Sequence, residues 1–190
     1  MLRVTLYVAL LTAIACLSSL THAAELHAGA AVVDITPPVG YRMSGYFRER
    51  LATGTHDPLH AKALYLRQEE MEAALVFCDI FGISLAVSQK ARQEAAKATG
   101  ISADNIVIAA THSHTGPLYF GALREHFHFR AIVAEGKDKA EAINYGDELV
   151  KHCVTAINSA KADARPATLA AGFAQQQGLS FNRRFHMKNG

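Results

Sequence analysis

The chain has 190 residues, with 19 Lys and Arg against 17 Asp and Glu, a formal net charge of +2, and half of its residues hydrophobic. So even a balance gives no electrostatic case for binding nucleic acid, and three cysteines are too few for a disulfide framework. No repeats, low-complexity runs or charged tails interrupt the chain, and its length suits one domain.

Residues 1–23 read as an export signal. Met1-Leu2-Arg3 is a short positive start, residues 4–20 are almost wholly apolar, and Thr21-His22-Ala23 places small residues where a signal peptidase reads them. Cleavage after Ala23 or Ala24 makes the mature protein secreted or periplasmic. A membrane anchor is the weaker reading, because Ser18, Ser19, Thr21 and His22 make the second half too polar. A lipoprotein signal at Cys16 is weaker still, since Ala13 stands where an aliphatic residue is expected.

In chain order, residues 26–35 predict a first strand, stopped by Thr36-Pro37-Pro38-Val39-Gly40. Residues 41–58 predict an ordered loop, rich in Gly and Arg, whose Arg42, Arg48 and Arg50 are read as solvated. Residues 61–66 and 73–78 predict two strands of a hairpin across Arg67-Gln68-Glu69-Glu70. Residues 84–99 have helical composition, with serine at the start and Gly100 placed to end it. An apolar run at 105–110 predicts a buried strand, and Leu149, Cys153 and Ile157 put one face on a helix over 145–162. Arg165-Pro166 ends that helix, and 167–174 reads as another strand. The expected fold is mixed α/β, a β-sheet with helices packed on at least one face. Cys78 and Cys153 fit its core as small hydrophobes.

The most informative stretch is Thr111-His112-Ser113-His114-Thr115-Gly116-Pro117, directly after the 105–110 strand. Alternation at a strand end aims His112 and His114 the same way, and Gly116-Pro117 opens a loop of the kind that carries function. His-x-His alone is weak evidence, since ten histidines in 190 residues give roughly half a match by chance. A second pair, His126-Phe127-His128, has no strand before it and no Gly-Pro after it, and is read as surface or interface histidine. His56-Asp57-x-x-His60 mimics a metal motif, but Asp57-Pro58 favours a turn over the helix that motif needs. Asp79, at a strand end, reads equally as a partner for the outer N–H of a ligand histidine or as an ordinary polar terminus.

An ordered series of segments resembles the neutral/alkaline, non-lysosomal ceramidases. It consists of Val33-Asp34-Ile35-Thr36-Pro37, Met43-Ser44-Gly45-Tyr46, Asp57-Pro58-Leu59, Ala61-Lys62-Ala63-Leu64, Phe77-Cys78-Asp79-Ile80, residues 105–117, and Ser180-Phe181-Asn182-Arg183-Arg184. The resemblance implies that residues 24–190 are the amino-terminal portion of a larger catalytic domain, truncated near 190. It implies a single zinc with His112 as a ligand, the further His, Glu and Tyr ligands having no counterpart in this sequence. It also implies that His114 contacts the substrate or the reacting water, and that Arg183 is a substrate-site residue. The reaction implied is hydrolysis of the N-acyl bond of ceramide or a related lipid amide, with peripheral membrane contact compatible with such a substrate. The alternative is a non-catalytic lipid-binding protein that keeps the fold around an incomplete site. Other metal hydrolases fit less well. A metallo-β-lactamase-type site wants aspartate where Gly116 stands, and a barrel amidohydrolase carries its His-x-His on its first strand.

Overall fold

The computed structural model of the chain describes residues 24–180, together with 184, 187 and 188. The leader expected at 1–23 and the substrate-site residue expected at Arg183 lie outside the described residues.

The elements are β1 (Leu26–Asp34), β2 (His60–Gln68), β3 (Met71–Cys78), α1 (Leu85–Thr99), β4 (Ile106–Ala110), α2 (Ala122–Glu135), α3 (Tyr145–Ala162) and β5 (Arg165–Pro166). The sheet order is β4-β3-β2-β1-β5, antiparallel except for the parallel β3–β4 pair. β2 and β3 form the expected hairpin, closed by Glu69 and Glu70, with Glu69 in the left-handed region at φ 52°. The β3-α1-β4 crossover makes the parallel pair, because parallel neighbours need a long return connection. Ser84 caps α1 by accepting from the Val87 N–H, and Gly100 ends it in the left-handed conformation, its N–H donating to the Ala96 carbonyl. Asn144 caps α3 in the same way.

Helices α1 and α3 cover one face of the sheet. Strand residues Ala61, Ala63, Tyr65, Ala74, Val76 and Cys78 alternate inward to meet Leu149, Cys153, Ala156, Ile157 and Ala160 of α3, and Ala91 and Ala95 of α1. Small residues let the helices sit low on the strands. At Gly29 an added Cβ would lie 2.0 Å from the Ala160 carbonyl oxygen, so β1 accepts the end of α3 only with glycine there. Cys78 and Cys153 are both buried and unbridged, their sulfurs 3.9 Å apart. The opposite face leaves Val32, Phe77 and Val107 about half exposed or more.

One expectation is corrected. Residues 167–174 form no strand. β5 pairs with β1 only at His27↔Pro166 and Ala28↔Arg165, and the Ala167 N–H reaches the Leu26 carbonyl, where β1 begins and its ladder runs out. Around the second histidine pair an unexpected helix forms, α2, started by Gly121 without a side-chain cap and ended by Gly136 at φ 71°. Its only buried residue is Phe127, while Phe129 and Val133 face outward, so its apolar residues make no continuous stripe for periodicity to report.

Candidate active site

β4 ends at Ala110, but the chain keeps contact with the segment leaving β3. The Thr111 N–H donates to the Cys78 carbonyl at 2.9 Å, and the Ser113 N–H to the Ile80 carbonyl at 3.1 Å. Between them His112 adopts φ 64°, a left-handed conformation that a non-glycine residue occupies at a cost of roughly 1–2 kcal/mol. Such strain concentrates where geometry is needed for chemistry. Strand alternation is therefore not what brings the two imidazoles together. The backbone turns at His112, and both rings reach one cavity, their centroids 5.1 Å apart.

That cavity, about 490 Å³, is walled by Tyr46, Phe47, Phe81, Tyr119, Phe120 and Leu123, with His112 and His114 as its imidazoles. The Phe81 ring lies 4.3 Å from His112 and 5.3 Å from His114. The Nδ1 of His112 is 3.0 Å from the Phe81 carbonyl oxygen, which fixes a tautomer with Nδ1 protonated and leaves Nε2 as a lone-pair donor. Tyr119 braces the floor, donating to the Gly82 carbonyl and accepting from the Ser84 N–H at the start of α1. Burial pushes its phenol up to about 12, so it stays a neutral hydrogen-bonding group.

The loop 41–51 forms the opposite rim. It pairs with the segment after the histidines through the Met43↔Pro117 bridge, the Ser44 N–H to the Gly116 carbonyl, and the Leu118 N–H to the Arg42 carbonyl. Gly116 packs against Ile80, where an added Cβ would stand 3.0 Å from the Ile80 Cα. Arg50 reaches across from the rim to bond both Ser44 and His114 backbone carbonyls.

Asp79 does not support His112. It accepts from Lys62 Nζ at 2.9 Å, from the His60 N–H at 3.2 Å and from the Thr111 hydroxyl at 3.4 Å. Burial works against its charge, but the bonds from Lys62 and the His60 N–H outweigh it and hold the carboxyl below its ordinary pKa. The polar-terminus reading is the correct one, and the carbonyl of Phe81 takes the place beside the ring. His56 and Asp57 are almost fully exposed and, among the described residues, pair only with each other, so the 56–60 motif assembles no site there.

The arginine loop was read as solvated, and Arg42 overturns this. It is buried and bonds Glu49 at 2.6 Å, Asp138 through two nitrogens at 2.6 and 2.8 Å, and Glu141 at 3.1 Å. His128 joins through Nδ1 to Asp138 at 2.7 Å, and Arg124 grips Glu141. His128 is thus no plain surface histidine. His128, Asp138 and Glu141 are the one group among the described residues with three metal-ligating side chains close together. Two guanidinium groups already neutralise both carboxylates, which makes it a poor seat for a cation. His112, with a fixed ring and a free Nε2 facing the cavity, fits a zinc ligand better. Among the described residues, no carboxylate or thiolate joins it to complete a tetrahedral set.

Sequence reasoning located His112 and His114 but missed Phe81, Tyr46 and Arg50. Phe81 carried no distinguishing signal, and Tyr46 stood only within the Met43-Ser44-Gly45-Tyr46 segment of the family resemblance. Arg50 acts through its distance in space from His114, which no local pattern encodes.

Solved structures that resemble the chain include two ceramidases. Neutral ceramidase from Pseudomonas aeruginosa aligns with a TM-score of 0.59 at 25% identity, over 75% of this chain and 22% of that one. A ceramidase described as complexed with C2 aligns at 0.58 and 24% identity, with the same coverage. The chain thus spans about a fifth of the length of the structures it matches. Among curated protein sequences, none matches. A family model described as neutral/alkaline non-lysosomal ceramidase, N-terminal, matches residues 26–187, nearly all of the described chain. With the His-x-His turn, the aromatic cavity and the sheet that carries them, this match makes the chain a member of the neutral/alkaline non-lysosomal ceramidase family, corresponding to its amino-terminal part.

Proposed function

We propose that this chain forms part of a zinc-dependent hydrolase that cleaves the N-acyl amide bond of ceramide or a related lipid amide, releasing a sphingoid base and a fatty acid. The observation that carries the reading is the pairing of His112 and His114 on one aromatic-walled cavity, with His112 Nδ1 engaged by the Phe81 carbonyl. His112 is the zinc ligand this chain supplies, through Nε2. Bound zinc supplies Lewis-acid polarisation of the amide carbonyl and acidifies water towards neutrality. His114, one ring away, contacts the substrate or the reacting water and handles a proton there. The aromatic wall suits a lipid chain. Arg183 is assigned to the substrate site through the family pattern alone. Residues 1–23 are proposed as a cleaved leader that places the protein outside the cytoplasm. No described helix is long and apolar enough to cross a membrane.

The test uses the full-length protein that carries this sequence, assayed for metal content and for hydrolysis of a fluorescent short-chain ceramide. One zinc per chain, loss of turnover on chelation, and a fall of roughly 10³-fold or more in His112→Gln are expected. Lipid binding with neither zinc nor turnover would overturn the reading in favour of a binding protein.

A further inference from the structure

We propose that Arg50 is a positioning residue for His114, locking the histidine turn to the opposite rim of the cavity. One guanidinium nitrogen, Nη2, donates to two backbone carbonyls that belong to different segments, Ser44 at 2.6 Å and His114 at 2.7 Å. The same guanidinium lies 4.0 Å over the Tyr46 ring, which is itself a wall of the cavity, so Arg50 fixes a wall and an imidazole together. Its Nε is buried without a partner. The side chain thus leaves its Nε–H unsatisfied while Nη2 gives one N–H to each of the two carbonyls, which points to a position set by those carbonyls.

Gly45 makes the close approach possible. It sits at φ 93°, and an added Cβ would lie 2.5 Å from the Cβ of His114. The rim backbone therefore packs directly against the His114 side chain, with no room for a side chain between them. His112 has its own tether in the Phe81 carbonyl, whereas the His114 ring has no hydrogen bond among the described contacts and takes its orientation from this backbone clamp and the surrounding rings. Arg48, two residues away on the same loop, is exposed and supplies a matched control.

This inference rests on the amide-hydrolase reading for its kinetic consequence, but not for its structural one. In the full-length protein, Arg50→Met is expected to lower kcat for lipid-amide hydrolysis by about 10–100-fold with little change in KM, the signature of a misplaced reacting group. Arg50→Lys recovers part of the loss, and Arg48→Met changes nothing. A histidine ring ¹H–¹³C spectrum at fixed pH reads position directly. The His114 signal, assigned by its absence in His114→Gln, moves in Arg50→Met, and the His112 signal moves less. If Arg50→Met fails to fold, Arg50→Lys decides, and a displaced His114 signal is again expected. An unmoved His114 signal in a folded Arg50 variant would overturn the proposal. A wild-type protein without amide hydrolysis would sink the functional reading instead, leaving the ring spectrum to judge Arg50 alone.

Discussion

The chain spells His-x-His twice, and the two copies meet opposite fates. At 112 and 114 the spacing falls on a turn leaving a strand, and the rings converge on one cavity. At 126 and 128 it falls on α2, where residues two apart point about 200° away from each other. His126 faces solvent while His128 turns to Asp138 and Glu141. The charge around the two pairs differs as much as the geometry. His112 and His114 are surrounded by aromatic rings, and no carboxylate pairs with either ring among the described residues, so only His112 Nδ1 is engaged, by the Phe81 carbonyl. His128 sits in a closed set of ion pairs with Arg42 and Arg124. One pair opens on a cavity, and the other closes a structural joint between α2 and the loop 41–51.

The largest test of that contrast is Arg42→Met. It removes the cation but leaves Asp138 and Glu141 in place with side chains no more than 9% exposed. Breaking a buried ion pair from one side costs about 3–5 kcal/mol, which a urea titration reads as a lower midpoint. A loss below about 1 kcal/mol would mean that the cluster is screened like a surface pair.

Acid should dissolve the same joint. Burial works against the charge of Asp138, but the hydrogen bonds from Arg42 and His128 prevail, so its folded pKa lies below the ordinary 3.8. A carboxyl with a lowered folded pKa contributes stability that is full above its unfolded value and is lost as pH falls towards the folded one. The wild type is expected to lose stability from about pH 4 downward, and Asp138→Asn to show a shallower loss over that window. Asp79 and Glu72 are shifted in the same direction, so part of the acid slope persists in the variant. Equal slopes in both proteins would remove Asp138 from the account.

The sequence announced those elements whose signals are local. The β2–β3 hairpin, the Ser84 and Gly100 boundaries of α1, and the stripe of Leu149, Cys153 and Ile157 on α3 all read directly from spacing and turn chemistry. The His112 turn was flagged by the strand before it and the Gly-Pro after it. What escaped depends on partners far along the chain. Arg42 meets Asp138 across 96 residues, and Arg50 meets the His114 carbonyl across 64, so neither is distinguishable from a solvated loop arginine by its neighbours. α2 escaped because charge pairing, not a buried stripe, holds it, and hydrophobic periodicity is silent on such a helix. The strand expected at 167–174 failed for the converse reason. Its composition was acceptable, but β1 offers no further backbone to pair with.

The smallest effect separates the two histidine pairs most sharply, because it has opposite signs. His112 sits at φ 64°, where glycine carries no Cβ penalty, while its ring is exposed and makes one hydrogen bond. His112→Gly is expected to leave stability unchanged or raise it by about 1 kcal/mol, as relief of the left-handed strain offsets the lost bond. His128→Gln, in a relaxed helical conformation, is expected to lower stability by about 1 kcal/mol, since its bond to the buried Asp138 goes and no strain is relieved. Thermal melts of both variants decide the matter. If His112→Gly melts well below the wild type, the turn is held by its imidazole rather than strained to present it. The His112 conformation would then be structural in origin, like the His128 joint, and the contrast between the two pairs would rest on the cavity alone.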